Sequence, residues 1–242
     1  MKVIPVIDIL NGLVIHAVRG RRHEYQPLNS VLCNSVEPIE VAKAFKTLGF
    51  NKLYVADLDA ITRGKTNFQV LKHIVDETGF KLMVDSGVAD LETAKKLLAI
   101  GVSKVVIGTE TLRSKSFVGD AVSVFGNERV IVSLDLKGDK VLVKLGFAGR
   151  KDPMYLLHEF WEMGVSSVII LDLSRVGNNE GVNVDFLKKV LNENMDVYVG
   201  GGVRDIKDLI TLKNFGFSGA LVATALHSGK ISIADLKQNE ML

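Results

Sequence analysis

Asp85-Ser86-Gly87-Val88 returns 115 positions later as Gly200-Gly201-Gly202-Val203. The same offset carries Ile107-Gly108-Thr109 onto Val222-Ala223-Thr224, Gly101 onto Gly216, and Asp57-Leu58 onto Asp172-Leu173. A constant offset over four landmarks marks an internal duplication, and that sets the architecture before any single motif is weighed. The landmarks bracket short β-branched runs, which predict strands at Val3–Ile7, Leu53–Ala56, Lys81–Val84, Lys104–Ile107, Val130–Leu134, Val168–Leu171, Val197–Val199 and Ala220–Ala223. Their near-continuous Val/Ile/Leu character suits parallel strands covered on both faces. Helical patterns lie between them, at Pro38–Leu48, Phe68–Thr78, Leu91–Ile100, Pro153–Met163 and Ile206–Phe215. Pro38 and Pro153 fit first-turn positions, and Gly49, Gly79, Gly101, Gly164 and Gly216 fit helix stops. Eight strand–helix units predict an α/β fold, a (β/α)8 TIM barrel spanning residues 1–242 as one domain, with half-barrels of about 1–125 and 126–242. A doubly wound open sheet would satisfy the alternation but not the two equal halves.

The bulk of the sequence fits a large core: 47% of its 242 residues are hydrophobic, and the mean hydropathy is +0.23. A net charge of +2 gives no general surface for nucleic acid or for a membrane. The single cysteine, Cys33, excludes an internal disulfide and offers no metal cluster, as expected for a reducing cytoplasm. The apolar run after Met1-Lys2 ends at Asp8, too short for a secretory or membrane-spanning segment. Four prolines and no Ser/Pro-rich tract leave no interdomain linker.

The first unit departs from the common offset. Pro5-Val6-Ile7-Asp8 matches Val132-Ser133-Leu134-Asp135 at a shift of 127, so twelve extra residues lie between the first and second strands. They fall in the polar loop from His16 to Glu37, whose shorter counterpart is near Lys144–Lys151. A hairpin-like extension after Asp8 would bring this loop, with His16, Arg19, Arg21, Arg22 and His23, over the barrel mouth. There it could clamp an anionic substrate, or be an ordinary solvated basic surface.

Asp8 and Asp135 end strands one and five, which oppose one another in an eight-stranded ring. Active sites of such barrels sit at that end, and two carboxyls in different environments can divide acid and base duties. Each Asp could instead only begin a turn, since Asn11-Gly12 and Lys137-Gly138 follow; their relation by the duplication favours function. Gly201 and Gly202 after strand seven, with Ala223 and Thr224 after strand eight, are where backbone amides hold phosphate in such folds. The equivalent positions in the first half are Gly87, Gly108 and Thr109. Asp57, Asp59 and Asp172 cap loops or orient substrate. Lys137 and Lys144 show no evident inward position, which argues against Schiff-base chemistry. Phe160 and Trp161 read as packing.

These motifs resemble the HisA/HisF family of histidine-biosynthesis barrels, of the ribulose-phosphate-binding type. The segments that carry the resemblance are Val6-Ile7-Asp8 with Asn11-Gly12, Val55-Ala56-Asp57-Leu58-Asp59 with Gly64-Lys65, Val106-Ile107-Gly108-Thr109, Val132-Ser133-Leu134-Asp135 and Gly200-Gly201-Gly202-Val203. The chain looks closer to HisA, an isomerase that performs an Amadori rearrangement on a phosphoribosylated aminoimidazole carboxamide. The resemblance implies that Asp8 and Asp135 are the two catalytic aspartates. One would help open the aminoribose ring to a Schiff base, and the other would take the proton from the adjacent carbon. It implies no metal or organic cofactor, a small phosphorylated metabolite as ligand, no glutaminase partner and a cytoplasmic location; the oligomeric state is left open.

The chain departs from the family pattern at several positions. Asp85-Ser86 replaces two glycines, placing a carboxylate where phosphate would approach. Ala223-Thr224 replaces a Gly-Arg pair, Leu171 a threonine, Val176-Gly177-Asn178 an Asp-Gly-Thr loop, and His16 an arginine. Such changes resemble a divergent HisA/HisF-related branch of methanogens and methylotrophs. They leave three functions in competition: an aldose–ketose isomerase; a lyase, aldolase or cyclase acting on a singly phosphorylated metabolite; and a non-catalytic phosphate-ligand binder.

Overall fold

Parallel strands form where apolar runs are buried from both sides, and here the eight runs close on themselves. The computed structural model describes residues 1–138, 140–144, 147, 151–178, 180–191 and 194–242. The barrel strands are β1 (Lys2–Leu10), β2 (Lys52–Asp57), β3 (Lys81–Asp85), β4 (Lys104–Gly108), β5 (Val130–Lys137), β6 (Ser167–Asp172), β7 (Asp196–Gly200) and β8 (Gly219–Val222). Each pairs in parallel with the next, and β8 returns to β1 in the register Lys2↔Gly219 to Pro5↔Val222. The fold is therefore a (β/α)8 barrel, not an open sheet.

The two faces of the strands build two cores. Side chains alternate across a strand, so Ile4, Tyr54, Met83, Val106, Ile131, Ile169, Tyr198 and Leu221 fill the barrel interior. Their neighbours Val3, Leu53, Leu82, Val105, Val130 and Val168 face outward and pack with helix residues such as Leu71, Leu97, Leu157, Phe160 and Leu209. The helices start and stop as the sequence predicts. Pro38 and Pro153 open first turns, Asp90, Asp152 and Asp205 accept bonds from first-turn amides, and Gly79 and Gly216 end helices in the left-handed conformation.

β1 and β5 run further than their apolar stretches suggest, because each is prolonged by an antiparallel return. After β1, Asn11 and Gly12 turn with φ of 54° and 77°, as a tight hairpin demands, and Leu13–His16 pairs back in the register Asp8↔Ile15. Gln26–Pro27 then pairs with Ile15 and His16. After β5, Lys140–Val141 pairs back on Leu136 and Lys137. The extension after Asp8 thus forms the expected hairpin. Of the Lys144–Lys151 counterpart, residues 145, 146 and 148–150 lie outside the described residues. Among the described residues no helix is long and apolar enough to cross a membrane.

Candidate active site

Continuing the inward alternation to the C-terminal strand ends brings Asp8, Asp85 and Asp135 to the top of β1, β3 and β5, and Gly200 to the equivalent place on β7. They border a cavity of about 370 Å³. Three of the four odd-numbered strands therefore present a carboxyl to one cavity. Leu171, on β6, supplies an apolar wall beside Gly200.

Asp135 is held firmly. Its Oδ1 accepts from the Ser133 hydroxyl at 2.7 Å and its Oδ2 from the Glu110 N–H at 3.0 Å; its own N–H donates to Thr109 Oγ1 at 3.0 Å. Asp8 is partly open to the cavity, and among the described residues no donor is bonded to its carboxyl. Burial raises Asp8 to about 7. Asp135 is also raised to about 7, by burial first and then by the charge of Asp85. A carboxyl titrating near neutrality is suited to giving or taking a proton at physiological pH.

Asp85, expected to disturb a phosphate loop, points into the barrel. Its Oδ1 accepts the Gly87 N–H at 3.0 Å, and the Tyr54 hydroxyl also donates to it. Burial raises Asp85 to about 6, with Glu110 and Asp57 adding repulsion against those two donors. Gly108 makes this crowding feasible. A Cβ there would stand 3.0 Å from Asp135 Oδ2 and 3.3 Å from Asp85 Oδ2.

The glycines of the two halves lead different lives. Gly201 and Gly202 line the cavity with φ of 87° and 92°, where an L side chain is strained. A Cβ would fall 2.3 Å from the Asp172 carbonyl oxygen at Gly201, and 2.5 Å from that of Gly181 at Gly202. Ala223 and Thr224 line the same wall, and Thr224 Oγ1 is 3.2 Å from His16 Nε2. Gly87, Gly108 and Thr109 do not line the cavity. The Gly87 amide is occupied by Asp85 and the Thr109 hydroxyl by the Asp135 N–H.

Asp172 stands behind the wall instead of on it. It accepts from Ser174 N–H at 3.0 Å and from Arg175 Nε at 3.1 Å, while Arg175 Nη1 donates to the Gly181 carbonyl at 2.9 Å. Arg175 itself lines the cavity beside Gly202, a cation the sequence reading did not single out. Asp57 and Asp59 likewise organise loops: Asp57 accepts from Ala60 and Asn67, and Asp59 from Asn11 and Asn67. Arg19 lines the cavity and pairs with Glu180 at 2.5 Å. Arg22 donates twice to Glu110, at 2.8 and 3.0 Å.

Lys137 corrects an expectation. It borders the cavity, because the hairpin carries β5 two residues beyond Asp135 and so returns to inward parity. Lys144 is not among the lining residues. His227, also unforeseen, is buried on the wall, where burial lowers it to about 4. Its ring is bonded to the Val6 backbone and, at 2.9 Å through Nδ1, to Ser30 Oγ. Among the described residues no group of His, Cys, Asp and Glu is arranged to hold a metal ion. Phe160 is fully buried, while Trp161 lies on the outer face of its helix with 41% exposure.

A barrel with opposed mouth carboxyls and a glycine wall invites comparison with known families, and the family model described as histidine biosynthesis protein matches residues 2–232. The chain belongs to the histidine biosynthesis protein family. Within that family it is 37% identical to an uncharacterized protein of Methanocaldococcus jannaschii, over 98% of this chain and 97% of the relative. It is 31% identical to a protein of Methanosphaera stadtmanae named as a phosphoribosyl imidazole carboxamide isomerase, over 97% and 98% of the two chains. M. jannaschii also has a protein of that isomerase name, 28% identical over 96% of each chain.

Proposed function

We propose that this family member is an acid–base isomerase, moving protons on a phosphorylated sugar-type metabolite in an aldose–ketose rearrangement of the HisA type. The observation that carries this is the pair Asp8 and Asp135: inward-facing, on opposed strands, in one cavity, and both titrating near 7. Carboxyls so placed reach a sugar from two sides, where one can give a proton to the ring oxygen as the ring opens to the imine, while the other removes one from the adjacent carbon. Holding both groups against one bound substrate also removes the entropic cost of bringing them together.

The phosphate belongs at the second-half wall, among Gly201, Gly202, Ala223 and Thr224, with Arg175 and His16 as side-chain contacts. Glycines there let backbone amides approach an anion closely. The reading is tested by turnover of the isomerase substrate and by complementing a bacterial strain lacking that isomerase. Activity lost by orders of magnitude in Asp8→Asn and Asp135→Asn supports it; unchanged activity in both overturns it.

A second reading has its own support: a different reaction on a singly phosphorylated metabolite. The first-half cradle has turned its Gly87 amide and Thr109 hydroxyl inward onto the protein. In M. jannaschii the uncharacterized relative and the named isomerase coexist, and the chain shares more identity with the former. Robust complementation would exclude this reading. Its failure, with phosphate bound beside Gly202 and none beside Gly87, would favour it.

A further inference from the structure

The second-half wall holds one polar contact that is not made by backbone amides. His16 Nε2 lies 3.2 Å from Thr224 Oγ1, and both residues border the cavity beside Gly201 and Gly202. The pair joins the hairpin after β1 to the helix Thr224–His227 after β8. Among the described residues neither the Thr224 hydroxyl nor His16 Nδ1 has another hydrogen-bond partner. A hydroxyl has one hydrogen to give; a neutral imidazole can accept it, whereas a protonated imidazole can only donate. The contact therefore has two states. When a neutral ring accepts at Nε2, Thr224 gives its hydrogen to His16; when the ring is protonated, that hydrogen is released toward the cavity. Resting on the phosphate reading above, we propose that His16 and Thr224 form a proton-linked anion grip. The ligand's phosphate draws one proton from solvent onto His16, and the ring, now a cation donating to Thr224, turns the threonine hydroxyl onto a phosphate oxygen.

The surroundings leave this role to His16. His227, the other histidine on the wall, has its ring engaged twice, by Ser30 Oγ at Nδ1 and by the Val6 backbone; burial lowers it to about 4, so it stays neutral. Arg19 is paired with Glu180, and Arg175 with Asp172, whereas His16 has no ion-pair partner among the described residues. Lys137 borders the cavity from the opposed strand β5. The elements packed on Leu13–His16 bring few other titratable groups. β1 brings Asp8, whose neighbour across the hairpin is Ile15, and the return Gln26–Pro27 follows Tyr25. The helix Pro38–Thr47 shares a core with Val14 through Val41 and Ala42, and its Glu40, Lys43 and Lys46 are exposed. Partial burial lowers His16 below the ordinary histidine value, so without an anion the ring is neutral at about pH 7.5, and a dianion beside it favours the charged form.

Sulfate isolates the protein's own proton, because it stays a dianion over the range where phosphate titrates. Calorimetric titration with sulfate at about pH 7.5, in buffers of different ionisation enthalpy, counts the protons taken up on binding. Wild type should take up more than His16→Gln, by about half a proton or more; glutamine can still bond Thr224 but carries no titrating charge. His16→Arg should match His16→Gln in uptake, yet bind sulfate more tightly than wild type at about pH 8, where a fixed charge replaces a titrating one. Any uptake by Asp8, Asp85 and Asp135 is common to the three proteins and cancels in the comparison. Proton NMR of the His16 ring should show its midpoint rising by about one pH unit or more when sulfate is added. Thr224→Val should weaken sulfate binding less in a His16→Gln background than in wild type. Equal uptake in wild type and His16→Gln, with an unmoved His16 midpoint, is what a purely structural tie would give, and it would overturn the proposal. Sulfate binding that is lost in Gly202→Ala but carries no His16-linked proton removes only this inference. Absence of sulfate binding beside Gly202 removes the phosphate reading and this inference with it.

Discussion

Gly87 and Gly202 occupy equivalent turns in the two halves, and both have positive φ, 63° and 92°. Only Gly202 lines the cavity. Backbone shape therefore does not distinguish the two turns. The residue two positions earlier does. Asp85 folds its carboxylate onto the Gly87 N–H, so the first turn satisfies its own amide. Gly200 has no side chain to do the same for Gly202. A duplicated loop can thus have its amide satisfied from within without changing its course.

The largest expected effect breaks both halves at once. Asp8→Asn or Asp135→Asn should each lower kcat by about 10²–10⁴-fold, the range for a lost general acid or base, with little change in the circular dichroism spectrum. Next, Gly202→Ala should abolish the stabilisation given by inorganic phosphate in thermal-shift and calorimetric titrations, because its Cβ would collide with the Gly181 carbonyl. Gly87→Ala, strained at about 1–3 kcal/mol by its positive φ, should lower Tm yet leave phosphate binding intact. Equal loss of binding in the two variants would end the comparison.

Arg175→Gln should weaken phosphate binding about tenfold, as loss of a charge-assisted hydrogen bond does, whereas Arg22→Gln in the first half should stay within about twofold. The smallest effect concerns stability against pH. Folding raises Asp8, Asp85 and Asp135 above the usual 3.8, so the folded state binds more protons than the unfolded state between about 4 and 7. Their contribution is fully present below about 4 and is lost as pH rises through 6 to 7. Asp85→Asn should therefore raise Tm at pH 8, by about 3 °C in a chain of this size, and the gain should shrink steadily toward pH 4.

Much of this was legible in the residues alone. β-branched runs and a constant offset were enough for the barrel, because parallel strands and repeats both write themselves locally. The opposition of Asp8 and Asp135 followed from counting strands. What stayed hidden depended on partners distant in sequence. Asp85 read as a phosphate-loop residue because the point where β3 ends, and hence its inward parity, is set by pairing with β2 and β4. Lys137 was missed because a hairpin, not an apolar run, extends β5. Arg175 carried no motif; it faces the cavity only because Asp172 and the Gly181 carbonyl aim it there. Thr109 looked like a phosphate contact because nothing local reveals that its hydroxyl accepts from Asp135.

The seam between β1 and β8 has a consequence for the order of assembly. Lys2 pairs with Gly219 and Val3 N–H with the Met241 carbonyl, while above the strands His16 meets Thr224 and Val31 N–H meets the His227 carbonyl. All of these contacts join residues that lie far apart along the chain. Such distant pairings carry the greatest loop-closure cost and form slowly. As the chain leaves the ribosome, the strand bearing Asp8 has one open edge until β8 and the helix after it have been made. The opposition of Asp8 to Asp135 is thus fixed only once the second half has been made, and until then the nascent first half carries an unsealed strand edge that is open to pairing elsewhere.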